Sequence, residues 1–190
     1  MQGNSHSLSR DQLVAYLAVF SIVAVIVTRA LVFTIALDST PLLLVMTAVS
    51  SLTWVCLWLW FKEYAPIVAM LAMASYLAGR MVRFGETVST WNDANSFYHQ
   101  TQKWSLTQWL VILAFALLSV AMAKSGRVSP VLLWVVGLYC AVSTARVVLA
   151  GYTHLGEYTA LTFARNLFGG ASYIGLGVFF LIEIFRRREA

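Results

Sequence analysis

Residues 12–37 read QLVAYLAVFSIVAVIVTRALVFTIAL, an apolar run with one charge in it, Arg29. A helix rises ~1.5 Å per residue and the apolar core of a bilayer is ~30 Å thick, so about 20 such residues suffice to cross it. The run therefore reads as a membrane-spanning helix.

The rest of the chain repeats the pattern. Further apolar runs lie at about 41–61, 65–84, 105–123, 130–150 and 161–185. Of the 190 residues, 60% are hydrophobic and 11% charged, against about 25% charged in typical soluble domains. The expected fold is all-α: a polytopic integral membrane protein, one six-transmembrane-helix bundle over residues 1–190, with an outer loop at 85–104. These spans take up most of the chain and leave no room for a soluble nucleotide-binding, kinase or nuclease domain. The net charge of +5 is read as a topology signal, and no nucleic-acid partner is expected. The N-terminal MQGNSHSLSRDQ lacks the charged-then-short-apolar pattern of a cleaved signal.

Helix starts are written into the sequence. Thr40-Pro41 and Ser129-Pro130 place a capping hydroxyl before a proline at the first helical position, and Pro66 opens the third run. Ser9-x-x-Gln12 and Ser105-x-x-Gln108 are capping-box patterns. The sixth run has only a soft start near GEYTALT.

Orientation follows from the basic residues. With the N-terminus in the cytoplasm, Arg10, Lys62, Lys124, Arg127 and Arg186 to Arg188 all fall inside. The opposing side then holds few cations, which is the positive-inside pattern. Both termini are expected to be cytoplasmic, in a cell (inner) membrane. Ala74-x-x-x-Ala78, Gly137-x-x-x-Ala141 and Ala171-x-x-x-Gly175 are small-residue spacings that let helices approach closely, and NLFGGASYIGLG in the sixth run predicts a tight contact or a bend. Trp54, Trp58 and Trp60 are expected at the inner interface, facing lipid. Cys56 and Cys140 lie far apart in apolar runs, which fits neither a disulfide nor a metal site.

Four arginines interrupt or end apolar runs: Arg29, Arg80, Arg146 and Arg165. Arg29 is ~26 Å along its helix from Gln12, Arg80 ~21 Å from Pro66 and Arg146 ~24 Å from Pro130. Arg165 lies in the first turns of a helix running the other way. All four are expected at one level, in the outer third of the bilayer, with Arg83 just beyond. A charge at a helix centre costs roughly 2.5–3.5 kcal/mol on insertion scales. Each arginine therefore either snorkels to lipid phosphates, pairs with a nearby acid (Asp38, Glu86, Asp93 or Glu157), or joins a polar pocket open to the outside.

The outer loop adds candidates. Thr90-x-x-Asp93 caps a potential short interfacial helix over 91–103, with Trp91, Ala94 and Tyr98 on one stripe. Such a helix is a lid over the bundle or an interfacial anchor. His99 and His154, with Glu157 three residues after His154, are the outer-face groups that could hold metal or haem, although no cofactor is expected from so sparse a set. No nucleophile-elbow, His-Glu-x-x-His, P-loop or dinucleotide fingerprint is present in the sequence.

Three functions fit. The first is a ligand-binding membrane protein, a transport or capture subunit or a sensor module, that takes a polar or anionic small molecule. Its site draws on Arg29, Arg80, Arg83, Arg146, Arg165, Glu86, Asp93, Trp91, Tyr98, His99, His154 and Glu157. The second is a non-catalytic accessory subunit that associates with other membrane subunits or with itself. The third is a membrane enzyme using the outer-face histidines and acids.

Overall fold

The computed structural model describes residues 9–35, 40–89, 106–152 and 159–186. They form six helices: α1 (Arg10–Ile35), α2 (Thr40–Phe61), α3 (Pro66–Ser89), α4 (Leu106–Ser125), α5 (Pro130–Tyr152) and α6 (Thr159–Arg186). Each is long and apolar enough to cross a membrane. The expected interfacial helix over 91–103 lies outside the described residues.

The caps explain the boundaries. The Ser9 backbone N–H donates to Gln12 Oε1 (3.0 Å) and the Gln12 N–H donates to Ser9 Oγ (3.3 Å), a complete capping box on α1. Ser129 Oγ accepts from the Leu132 N–H (3.3 Å), with Pro130 as the first residue of α5. Gly126 ends α4 with φ of 63°, a left-handed conformation that suits glycine. One boundary differs from the sequence reading. α3 continues to Ser89, so residues 85–89 are helical rather than loop. Gly85 is the weakest helix former there, and one glycine costs only about 1 kcal/mol without a proline to stop the turn.

The helices form a closed ring in chain order. Each packs on its sequence neighbours, α6 packs back on α1, and α2 reaches α4 across the middle. Short connections make neighbours antiparallel. All four chain segments at one end of the ring meet there: Arg10 and Asp11 lie beside Glu63 and Tyr64, and Arg127 reaches α6. Outward faces are apolar as well. Phe20, Met81 and Trp134 are more than two-thirds exposed, the pattern of a helix bundle whose solvent is lipid.

Glycines set the closest approaches. A methyl group at Gly79 would stand 3.2 Å from Leu110 Cβ and 3.3 Å from the Thr107 carbonyl oxygen, so α3 and α4 nearly touch there. In α6, the glycine-rich run produces close contact without a break in the helix. Gly169 faces the Tyr139 ring, Gly175 faces Leu132 and Gly177 faces Ile22. Of the three small-residue spacings, Ala171/Gly175 lies against α5. Ala74, Ala78, Gly137 and Ala141 face outward instead.

The tryptophan expectation is corrected. Trp54 is 1% exposed and Trp60 is 5% exposed, so neither faces lipid. Trp54 stacks on Tyr76 (ring centroids 4.4 Å) and meets Phe115 edge-on (5.0 Å). Trp60 meets Phe179 and Phe180 edge-on. Aromatic pairs in these geometries add about 0.5–1.5 kcal/mol beyond their burial, which favours the interior over an interfacial position. Trp58 is half-buried and carries Lys62 over its ring at 5.3 Å.

At the end holding the termini, Glu183 is nearly fully buried between two arginines, Arg127 (3.3 Å) and Arg186 (3.4 Å). Arg127 also stacks over Tyr64 at 5.6 Å. The Arg186 pair lies one helical turn away on α6, whereas the link to the α4–α5 loop joins residues 56 positions apart that share no local pattern. Both arginines are partly exposed, which weakens the pairs. Glu183→Ala should therefore lower stability by about 1–2 kcal/mol, read as an earlier unfolding midpoint in a detergent–denaturant titration. An unchanged midpoint would remove the triad as a clamp.

A candidate anion-binding pocket

At the opposite end the ring encloses a cavity of about 280 Å³. Every helix contributes to its wall: Arg29 from α1, Met46 from α2, Arg80 and Arg83 from α3, Gln108 from α4, Arg146 from α5 and Arg165 from α6, among others. The five arginines named from the sequence thus converge on one space. None of the described lining residues is acidic.

Three of the arginines are held by uncharged groups. Arg80 Nε donates to Tyr76 Oη (2.8 Å), its Nη2 donates to the same oxygen, and its guanidinium lies over the Tyr76 ring at 4.9 Å. Arg29 lies over the Tyr173 ring at 5.3 Å. Arg146 Nε donates to Thr162 Oγ1 (3.0 Å) and its Nη1 to Gln108 Oε1 (3.5 Å), tying α5 to α6 and α4. Cation–π contact and hydroxyl acceptors fix a guanidinium without neutralising it. At Arg29 and Arg80 the positive charge is left to act on whatever enters.

Beneath the arginines the bundle is closed by rings. Trp54, Tyr76, Phe115, Tyr139 and Tyr173 come from five different helices, α2 to α6. Phe115 sits at their centre, 4.5 Å from Tyr139 and 6.2 Å from Tyr173, and also meets Trp54. The pocket therefore has an aromatic floor, and Tyr139 lines both floor and cavity.

Two hydroxyls in the wall stand apart from the others in the bundle. Ser21, Thr28, Ser119 and Ser172 all bond back to helix carbonyls three or four residues earlier, the usual way to satisfy a hydroxyl in a helix. Thr107 and Ser143 are buried and line the cavity, yet their oxygens have no hydrogen-bond partner among the described residues. A buried polar atom without a partner costs about 1–3 kcal/mol.

The remaining sequence candidates fall elsewhere. Glu86 lies on α3, but its side chain is outside the described residues, as are Asp38, Trp91, Asp93, Tyr98, His99, His154 and Glu157. Among the described residues, no group of three His, Cys, Asp or Glu side chains is placed to hold a metal ion. The sequence reading gave Gln108 only a capping role and did not name Thr107, Ser143, Tyr76, Tyr139 or Tyr173. A signal for part of this set existed: Tyr76-Arg80-Arg83 and Tyr139-Ser143-Arg146 follow i, i+4, i+7 spacing, and Arg165-Gly169-Tyr173 follows i, i+4, i+8. Each is one face of a helix.

Comparison of the chain with known protein families, curated proteins and solved structures finds no match.

Proposed function

We propose that this protein captures a polar, anionic small molecule in the arginine-lined cavity, which opens toward the outside of the membrane, as a transport or capture subunit or a sensor module does. The observation that carries the reading is the convergence of five arginines from four helices on one cavity whose described wall has no acid. Guanidinium forks suit carboxylate and phosphate oxygens, and in a poorly hydrated site they act strongly. The aromatic floor supports binding rather than free conduction. The outward direction rests on the charge asymmetry of the loops.

A second reading has its own support. Ala74, Ala78, Gly137 and Ala141 present small-residue faces to the surroundings of the bundle, the kind of surface on which another membrane helix packs closely. In that reading the chain is an accessory subunit or self-associates.

Native mass spectrometry of the full chain, extracted from its own cells in mild detergent, separates the two. A small-molecule mass that is present on the wild type and lost from both Arg29→Ala and Arg80→Ala supports capture. A bare chain, or a mass kept by both variants, rejects it. Added masses of protein size support the subunit reading.

A further inference from the structure

The chemistry of the wall narrows the ligand, granted the capture reading above. We propose that the pocket takes a phosphoryl monoester, its terminal phosphoryl oxygens among the arginines and its small organic remainder against Tyr139, Ile112 and Val147.

Charge is the first argument. A monocarboxylate carries one negative charge on two oxygens and is met fully by one or two guanidinium forks. Arg29, Arg80 and Arg165, from three different helices, already exceed that demand. A phosphoryl monoester carries about −1.5 to −2 at neutral pH on three strong acceptor oxygens. It offers acceptors to several forks approaching from different helices, which is how Arg29, Arg80, Arg83, Arg146 and Arg165 are arranged.

The two hydroxyls are the second argument. Thr107 and Ser143 lie on α4 and α5, both on the cavity wall and both without a partner among the described residues. Ser143 sits inside a helix, where its neighbours in kind bond back to the backbone and it does not. A phosphoryl oxygen accepts from hydroxyls as well as from guanidiniums, so one ligand would satisfy both sets of donors.

Size is the third. Water occupies ~30 Å³ in the liquid, so about 280 Å³ holds far more than a bare ion. The surplus is bounded by Met46, Val111, Ile112, Val147 and the Tyr139 ring, an apolar lining that suits a carbon skeleton better than ordered water. The same phosphoryl chemistry exists on soluble metabolites and on lipid headgroups such as phosphatidic acid.

The test is a binding titration of the full chain in detergent micelles. The probes are glycerol phosphate, inorganic phosphate and butyrate, each between pH 5 and pH 8. A parallel series uses bilayer nanodiscs of phosphatidylcholine doped with phosphatidic acid or with phosphatidylglycerol. Glycerol phosphate is expected to bind at least about tenfold tighter than butyrate. Its affinity should rise with pH through the second phosphate ionisation near pH ~6 and then level off, because guanidinium stays charged throughout and the dianion is the form preferred. Ser143→Ala should weaken glycerol phosphate about tenfold without lowering the thermal unfolding midpoint of the free protein. Butyrate binding equally well, with no pH rise, overturns the phosphoryl assignment and leaves an anion pocket standing. Inorganic phosphate matching glycerol phosphate overturns the organic remainder. No binding of any anion overturns both this proposal and capture itself. Binding of phosphatidic acid in nanodiscs without binding of glycerol phosphate supports the same chemistry from a lipid source. Glycerol phosphate binding in micelles supports a soluble one.

Discussion

Arg80→Ala is expected to weaken anion binding by about a hundredfold while the protein stays folded. Arg80 is firmly fixed in the pocket: two of its nitrogens donate to the Tyr76 hydroxyl and its plane covers the same ring. Such a group does not have to be ordered when the ligand arrives, so its full interaction appears in affinity. Arg80→Lys distinguishes fork from charge. Lysine keeps the positive charge but cannot grip two oxygens or reach the tyrosine in the same plane. We expect it to recover less than half of the lost binding energy in an anion titration. Wild-type affinity in Arg80→Ala would mean that the ligand does not engage Arg80, and the pocket would have to be abandoned as drawn. Recovery by lysine alone would mean that charge, not geometry, does the recognition.

The second large effect concerns the floor. Trp54→Ala removes a side chain that is 1% exposed and packed between Tyr76 and Phe115. In a membrane bundle the unfolded helices remain in lipid, so the transfer-to-water part of the usual cost is absent. What remains is the cavity and the lost ring contacts, about 3 kcal/mol. The unfolding midpoint in a detergent–denaturant titration should fall accordingly. Because Trp54 stacks on the same Tyr76 that holds Arg80, anion affinity should fall with it. Trp54→Phe should keep most of both. A stable, fully binding Trp54→Ala protein would show that the floor does not support the arginines.

The sequence carried the helices and the level of the arginines for a simple physical reason. Span length, proline at the first turn and capping hydroxyls are local properties, and depth along a straight helix follows from the rise per residue. It did not carry the rotation of each helix about its own axis. In a chain apolar on all sides, the hydrophobic pattern that would fix rotation in a soluble bundle is nearly absent, and lipid-facing and core-facing residues look alike. This is why Trp54 and Trp60 were assigned to the interface and proved to be core. It is also why Ala74 and Gly137 were expected in packed faces and lie outside. The arginines shared this ambiguity, since each could snorkel to lipid phosphates, pair with an acid or join a polar pocket, and only the packed bundle brings five of them to one cavity. The link from Arg127 to Glu183 was invisible for a different reason, since it depends on ring closure between distant segments.

That ring closure governs the order of events during synthesis. The cavity wall includes Arg29 on the first helix and Arg165 on the last. When α1 has entered the membrane, its charge has no Tyr173 beneath it, because α6 is still unmade. The cavity wall is therefore complete only once α6 has packed on α1. A ligand of the kind proposed above would accordingly protect only finished chains from proteolysis.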